Sequence, residues 1–292
     1  MPSATVYLKN MSLSNASVAV VTGAASGIGR ALALRLAKEK IAGIAISDVN
    51  AKGLKETAEI VEKFGVNIST HTVDVSKIEE IRAFADEVIE KHRRVTHLIN
   101  NAGVALIGTV EELSLEDIEW LMGVNFWGTI YGVKIFLPIL REQKLAHIIN
   151  LSSVFGLVAP PGQAAYCASK FAVRGFTESL RHELEGSNVL VSCVHPGGVK
   201  TNICNDSRIG EQASEDEKKK VTRFFDKASP TTPEQAAEII VKGIKERNPR
   251  ILIGSDARQI DKIQRLFPRK YFSVMDKLSG GKISASMKSK HT

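Results

Sequence analysis
SVAVVTGAASGIGRALALRLAKEK (residues 17–40) opens as a short apolar run and closes as a helix-forming stretch, with three glycines at the join. Residues 17–23 read as a parallel strand buried on both faces, because apolar side chains follow one another without polar alternation. Residues 27–40 carry helix formers with apolar side chains at helical spacing. Gly23, Gly27 and Gly29 allow a tight turn and close backbone approach. The helix that follows offers unpaired N–H groups and a positive dipole end, a seat for an anion such as a pyrophosphate. Ser26 and Ile28 belong to the same turn. The spacing is G-x-x-x-G-x-G, not the commoner G-x-G-x-x-G fingerprint.

Outward from this turn, strand-like and helix-like segments alternate to residue 254. Strand patterns cover 41–48, 66–74, 95–103, 146–153, 188–198 and 250–254. Helix patterns cover 50–65, with Asn50 as a cap, then 76–92, 115–143, 163–186 and 232–247. This alternation predicts βαβ units in an α/β fold: a single Rossmann-type, doubly wound parallel sheet with helices on both faces. Residues 1–15 read as an N-terminal extension, 16–254 as the domain, and 255–292 as a C-terminal extension. Within the domain, 200–231, which contains EQASEDEKKK, is the least regular stretch and reads as a solvated helix face or mobile loop.

The 292 residues are 43% hydrophobic and 24% charged, ordinary for a globular protein. No uninterrupted apolar run is long enough to predict a membrane-spanning helix, and the polar N-terminus lacks the pattern of a signal peptide. Cys167, Cys193 and Cys204 are too few and scattered for a disulfide framework or a metal site. A cytoplasmic protein without a metal is expected. The net charge is +7, and +6 of it falls after Gly254, where nine basic residues face three acidic ones.

Asp48 ends the second strand, 19 residues beyond Gly29. A carboxylate at about that interval accepts hydrogen bonds from an adenosine ribose and repels a 2′-phosphate. No basic residue follows it at once, and Ser26 stands where a Lys or Arg could have met that phosphate. NAD is therefore expected over NADP. Farther along, Tyr166 and Lys170 in AAYCASKFAVRGF (164–176) share one helix face.

TGAASGIG, NNAG (100–103), Asn125, NLSS (150–153), YCASK (166–170) and PGGVKT (196–201) occur in the order and on the elements that a classical short-chain dehydrogenase/reductase uses. The chain resembles that family over about residues 16–254. The resemblance implies hydride transfer between NAD(P)(H) and an alcohol or carbonyl. It makes Tyr166 the general acid–base, with the Lys170 ammonium favouring its phenolate. Lys170 also binds the nicotinamide ribose. It makes Ser153, 13 residues earlier, the partner of the substrate oxygen, with Ser152 the alternative. Asn125 holds a water in a proton relay, or bonds a neighbouring carbonyl in a purely structural role. Asn101, Ala102 and Gly103 line the adenosine side, Asp74 and Val75 contact adenine, and Val199 and Thr201 meet the carboxamide and phosphates. His195 stands where the family commonly has Asn and reads as a buried histidine without a catalytic role.

Val154, Phe155, Leu157 and Val158 favour an apolar alcohol or ketone as the small-molecule substrate. The segment from Thr201 onward through 231 falls where the family keeps its substrate lid. In the tail, Ile260, Ile263 and Phe267 share one helical spacing, and Tyr271, Val274, Met275 and Leu278 another across Pro268. Such a basic amphipathic segment packs on this protein or a sister subunit, covers the site's mouth, or touches an anionic membrane; no nucleic acid is expected. Residues 280–292 are expected to be disordered. Family members are usually dimers or tetramers, so a homo-oligomer is expected. The rival readings are an NADPH-preferring carbonyl reductase, and a cofactor-sensing or membrane-associated binding protein that kept the fold.

Overall fold
The computed structural model describes residues 12–204, 206–209 and 229–281. Most of the N-terminal extension, most of the 210–231 half of the expected lid, and nearly all of the expected disordered end lie outside the described residues.

Strands β1 (Val18–Thr22), β2 (Gly43–Asp48), β3 (Asn67–Thr72), β4 (His97–Asn100), β6 (Ala146–Leu151), β7 (Val189–Pro196) and β9 (Arg250–Ile253) form one sheet in the order β3-β2-β1-β4-β6-β7-β9. Every pairing in it is parallel. β1, β4 and β6 are buried throughout, as central strands covered on both faces must be. The edge strand β3 is half exposed. A second sheet, not anticipated, pairs two-residue strands β5 (Leu106–Ile107) and β8 (Arg208–Ile209).

Among the described residues the α-helices are α1 (Gly27–Lys38), α2 (Ala51–Glu62), α3 (Ile78–His92), α4 (Leu115–Met122), α5 (Gly128–Arg141), α6 (Ala164–Glu183), α7 (Pro233–Lys245), α8 (Ser255–Leu266) and α9 (Tyr271–Leu278). Two apolar cores mark the two faces of the sheet. Leu32, Leu36, Ile44, Leu54, Ile240 and Ile244 pack on one side, and Phe84, Val88, Val133, Phe136, Leu140 and Leu180 on the other.

The long helix expected over 115–143 is α4 and α5 joined by a π-turn, Gly123–Trp127. By length and composition alone, the 115–141 span is long and apolar enough to cross a membrane. Its inner side chains Leu121, Val133, Phe136 and Leu140 are core. The tail is helical on either side of Pro268. α8 packs against β9 and the short turn Val154–Gly156, while none of the residues of α9 is fully buried.

Candidate active site
At the carboxyl end of β1 the chain reverses through Gly23 (φ +66°) and Gly27 (φ +53°), backbone regions that favour glycine. A Cβ on Gly29 would stand 2.1 Å from the Gly23 carbonyl oxygen, so α1 rests directly on the turn. Helices α2, α4 and α7 are capped by Asn50, Ser114 and Thr232. In α1 the Ser26 side chain makes no cap bond and the first turn holds no acid. Its leading N–H groups are left for an anion.

The turn is braced from β4. Thr22 Oγ1 accepts from the backbone N–H groups of Asn101 and Ala102, both at 3.0 Å. Asn101 Nδ2 donates to the carbonyls of Thr22 (2.8 Å) and Gly23 (3.0 Å). Asp48 Oδ2 accepts from Ala25 N–H at 3.0 Å, and its Oδ1 from Asn50 N–H at 3.0 Å. Asp48 therefore ties β2 to the glycine turn while its carboxylate borders the cavity. Asp74 accepts from Ser76, N–H at 3.0 Å and hydroxyl at 2.7 Å. Arg30, the nearest cation by sequence, is committed to the carbonyls of Ala25 and Gly53, to Thr57 and to Glu56.

A cavity of about 430 Å³ lies over these strand ends. Gly23, Ser26, Gly27, Ile28, Gly29, Asp48, Asp74, Val75, Asn101, Ala102, Gly103, Ser153, Tyr166, Lys170, Val199 and Thr201 all line it. Asn125 alone among the expected residues stands behind the wall. Its Oδ1 accepts from Val104 N–H (2.8 Å), and its Nδ2 donates to the Val104 carbonyl and Ser169 Oγ, both at 3.0 Å. A Cβ on Gly103 would fall 3.1 Å from Asn125 Oδ1 and 3.2 Å from Lys170 Nζ, so a glycine there lets the backbone run between them.

The two serines of NLSS separate cleanly. Ser152 Oγ donates to the Lys170 carbonyl at 2.8 Å, pinning α6 to β6. Ser153 Oγ accepts from Phe155 N–H at 3.1 Å and is hydrogen-bonded to the Tyr166 hydroxyl. Lys170 Nζ donates to the Leu151 carbonyl at 3.2 Å and lies 5.8 Å from the centre of the Tyr166 ring.

Burial governs the protonation of this pair. It raises the Tyr166 phenol well above its ordinary value, against the opposing pull of the Ser153 hydrogen bond. Burial lowers the Lys170 ammonium to about 8. In the cofactor-free protein, desolvation of the phenolate outweighs the Ser153 hydrogen bond, and Tyr166 keeps its proton at neutral pH.

A second cavity, about 260 Å³, meets the first at Ala105, Ser153, Tyr166, Gly197, Val199 and Ile203. Its walls are largely apolar, with Val154, Phe155, Val158 and Pro160 on one side and Ile260, Tyr271, Phe272 and Met275 from the tail on the other. The Tyr271 hydroxyl accepts from Ala159 N–H at 3.2 Å. Asp261 of α8 pairs with Arg250 of β9 at 2.5 Å. Asp256 Oδ2 accepts from Gly198 N–H at 2.7 Å, and a Cβ on either Gly197 or Gly254 would stand 2.2 Å from the same carboxylate.

The short chain dehydrogenase family model matches residues 17–212. The chain belongs to the short-chain dehydrogenase family. It is 42% identical over 264 residues to the putative oxidoreductase SadH of Mycobacterium tuberculosis, covering 89% of this chain and 94% of that protein. Its fold is similar to that of a short-chain dehydrogenase/reductase from Burkholderia phymatum solved in complex with NAD. That match has a TM-score of 0.80 and 32% identity, covering 87% of this chain and 94% of the other. It is also similar to an alcohol dehydrogenase from Thermococcus sibiricus complexed with 5-hydroxy-NADP. There the TM-score is 0.69 and the identity 26%, covering 81% and 95% of the two chains. With that family's fold, the chain is an NAD(P)-dependent oxidoreductase.

As in any short-chain dehydrogenase, the residues must fit a dinucleotide, and these do. The cradle that a Cβ would fill at Gly23 and Gly29, the uncapped start of α1 and the Asp48 carboxylate occupy one wall of the larger cavity. Sequence reasoning missed the roles by which several residues hold this dehydrogenase site in place. Thr22 and Asn101 brace the turn through bonds that no local pattern announces. Asp256 and Tyr271 act from the tail, far away in sequence. His195 is fully buried; its Nδ1 lies 3.1 Å from the Ser153 carbonyl, and burial lowers it to about 4. A neutral ring donating from Nδ1 holds the Ser153 backbone, a positioning task.

Proposed function
We propose that this protein interconverts an apolar secondary alcohol and its ketone with NAD, using Tyr166 as the proton-exchanging group. The observation that carries this reading is the meeting of the two cavities at Ser153 and Tyr166, one bordered by the glycine turn and the other by apolar side chains. When bound, the cofactor supplies or accepts the hydride at the carbon bearing the oxygen. Ser153 Oγ and the Tyr166 hydroxyl hold that oxygen between them. In the direction of reduction, the raised proton affinity of Tyr166 suits it to give its proton to the developing alkoxide. In oxidation Tyr166 must first lose that proton. Lys170 stands beside the ring and provides the positive charge that assists the loss. Asn125 fixes Val104 and Ser169 around Lys170, which supports a positioning role for its side chain.

NAD is favoured over NADP by the charges at the adenosine end. Lys170 is the one basic side chain among the described residues lining the larger cavity, whereas Asp48, Asp74 and Asp206 line it with carboxylates. A 2′-phosphate placed near Asp48 meets like charge, and Arg30 is already committed elsewhere.

The test is turnover of a panel of apolar secondary alcohols and ketones, followed by absorbance of the reduced nicotinamide. Tyr166→Phe is expected to lower kcat by at least about a hundredfold while leaving NAD affinity within a factor of a few. Full turnover by that variant refutes the assignment of Tyr166.

A further inference from the structure
The tail presents two different faces. Its inner face is engaged: Asp256 takes the Gly198 N–H, Asp261 takes Arg250, and Tyr271, Phe272 and Met275 wall the second cavity. Among the described residues, no hydrogen bond or ion pair ties the side chains of Leu266, Phe267, Arg269 and Lys270 on its outer face to the fold, and Arg265 pairs only with Asp261 of its own helix. The six residues Arg265–Lys270, RLFPRK, are all exposed. Leu266 is 72% and Phe267 47% exposed, and Leu278 at the end of α9 is 74% exposed.

Leu278 lies three residues beyond Met275 and seven beyond Tyr271, so it extends the stripe that lines the cavity outward into solvent. Around these apolar side chains stand Arg258, Lys262, Arg269, Lys270 and Lys277. Two of the three acids of the tail are turned inward, so they do not offset these cations at the surface.

We propose that this outer face, centred on Leu266, Phe267, Arg269 and Lys270, docks the protein on an anionic lipid bilayer. Exposed Leu and Phe side chains flanked by Arg and Lys match the two layers of such a surface, apolar chains beneath and anionic headgroups above. A second copy of the chain is a poorer occupant. A two-fold interface sets each patch against its own kind, and the tail carries +6 of the total +7, leaving the rest of the chain almost neutral. Nucleic acid accounts for the cations but not for exposed Leu266 and Phe267. Since α9 is also a cavity wall, docking brings the apolar cavity next to the lipid. Docking itself does not depend on the dehydrogenase reading.

The experiment uses the full chain and vesicles of phosphatidylcholine with or without phosphatidylglycerol, and measures the bound fraction by co-sedimentation. Binding is expected to the anionic vesicles, to weaken steeply with added salt, and to be weak on phosphatidylcholine alone. Arg269→Gln with Lys270→Gln is expected to lower the partition coefficient roughly twenty-fivefold, about fivefold per charge. Leu266→Ser with Phe267→Ser is expected to lower it by a comparable factor. All four side chains lie outside the two cavities, so thermal unfolding and turnover of a water-soluble ketone should be unchanged. The charge pair keeps the test open if the apolar pair fails to fold. Failure to bind anionic vesicles at low salt overturns the proposal, as does equal binding to both vesicle types. A dimer that dissociates in the Leu266/Phe267 variant also overturns it, because the face is then an interface between copies.

Discussion

Gly29→Ala tests whether α1 is seated on the glycine turn as closely as described. The added Cβ would lie 2.1 Å from the Gly23 carbonyl oxygen, 2.8 Å from its carbon and 2.6 Å from Asn101 Nδ2. Relief to an ordinary contact of 3.4 Å requires a movement of about 1.3 Å, and the nearest neighbour is backbone rather than a flexible side-chain end. Overpacking of this kind costs about 1–3 kcal/mol. Asn101 cannot keep both of its bonds to Thr22 and Gly23 while yielding, and each lost bond adds about 1 kcal/mol. Alanine returns up to about 1 kcal/mol through its better helix propensity. The net expectation is a loss of about 2–4 kcal/mol in urea unfolding, together with at least tenfold weaker NAD binding by titration calorimetry. Gly162→Ala is the control: Gly162 has φ +70° but nothing within 4 Å of an added Cβ, so only the backbone strain of about 1–2 kcal/mol is expected, with NAD binding unaffected. If Gly29→Ala unfolds within about 0.5 kcal/mol of the parent and binds NAD equally well, the close seating is wrong.

Two further outcomes are expected. The Lys170 ammonium is lowered by burial to about 8 from 10.5, so between those pH values the unfolded chain holds more protons than the folded one. The Lys170 contribution to the stability of the cofactor-free protein should therefore rise with pH across that window, against the opposing contributions of the buried Cys167 and Cys193 thiols, and should be absent in Lys170→Met; identical pH slopes of parent and variant in urea unfolding would contradict it. Asp48→Ala removes the acceptor for the N–H groups of Ala25 and Asn50, costing about 1–3 kcal/mol. The same variant should bring the kcat/KM values for NAD and NADP closer together, and unchanged discrimination would show that the ribose contact is misplaced.

The large sheet was legible in the sequence because its strands are apolar and its helices amphipathic over many residues, a signal that local reading captures. Asn50 as a cap and the glycines as a turn were legible for the same reason. The β5–β8 pair was not: two residues per strand leave no periodicity to read. The π-turn at Gly123–Trp127 keeps a helical pattern on both sides, so nothing in the spacing marks it. In the site, the family resemblance pointed to Tyr166, Lys170 and Ser153, with Ser152 the less favoured alternative, and what it did not give is where each serine hydroxyl points. The direction of the Tyr166 shift depended on burial, which the i, i+4 spacing does not encode.

The carboxylate of Asp256 fills the space that Gly197 and Gly254 leave by having no side chain, and it holds the Gly198 N–H. Two segments distant in sequence, 197–198 and 254–256, are thereby keyed to one residue. For anyone exchanging tails between relatives to alter substrate range, this sets a seam. Residues 197, 198, 254 and 256 must travel as a matched set, whereas the wall from Ile260 onward can be varied as long as Asp261 keeps Arg250 and Tyr271 keeps Ala159. A transplanted tail with a bulkier residue at 256 would push on the loop carrying Val199 and Thr201 and would change cofactor affinity before it changed the substrate.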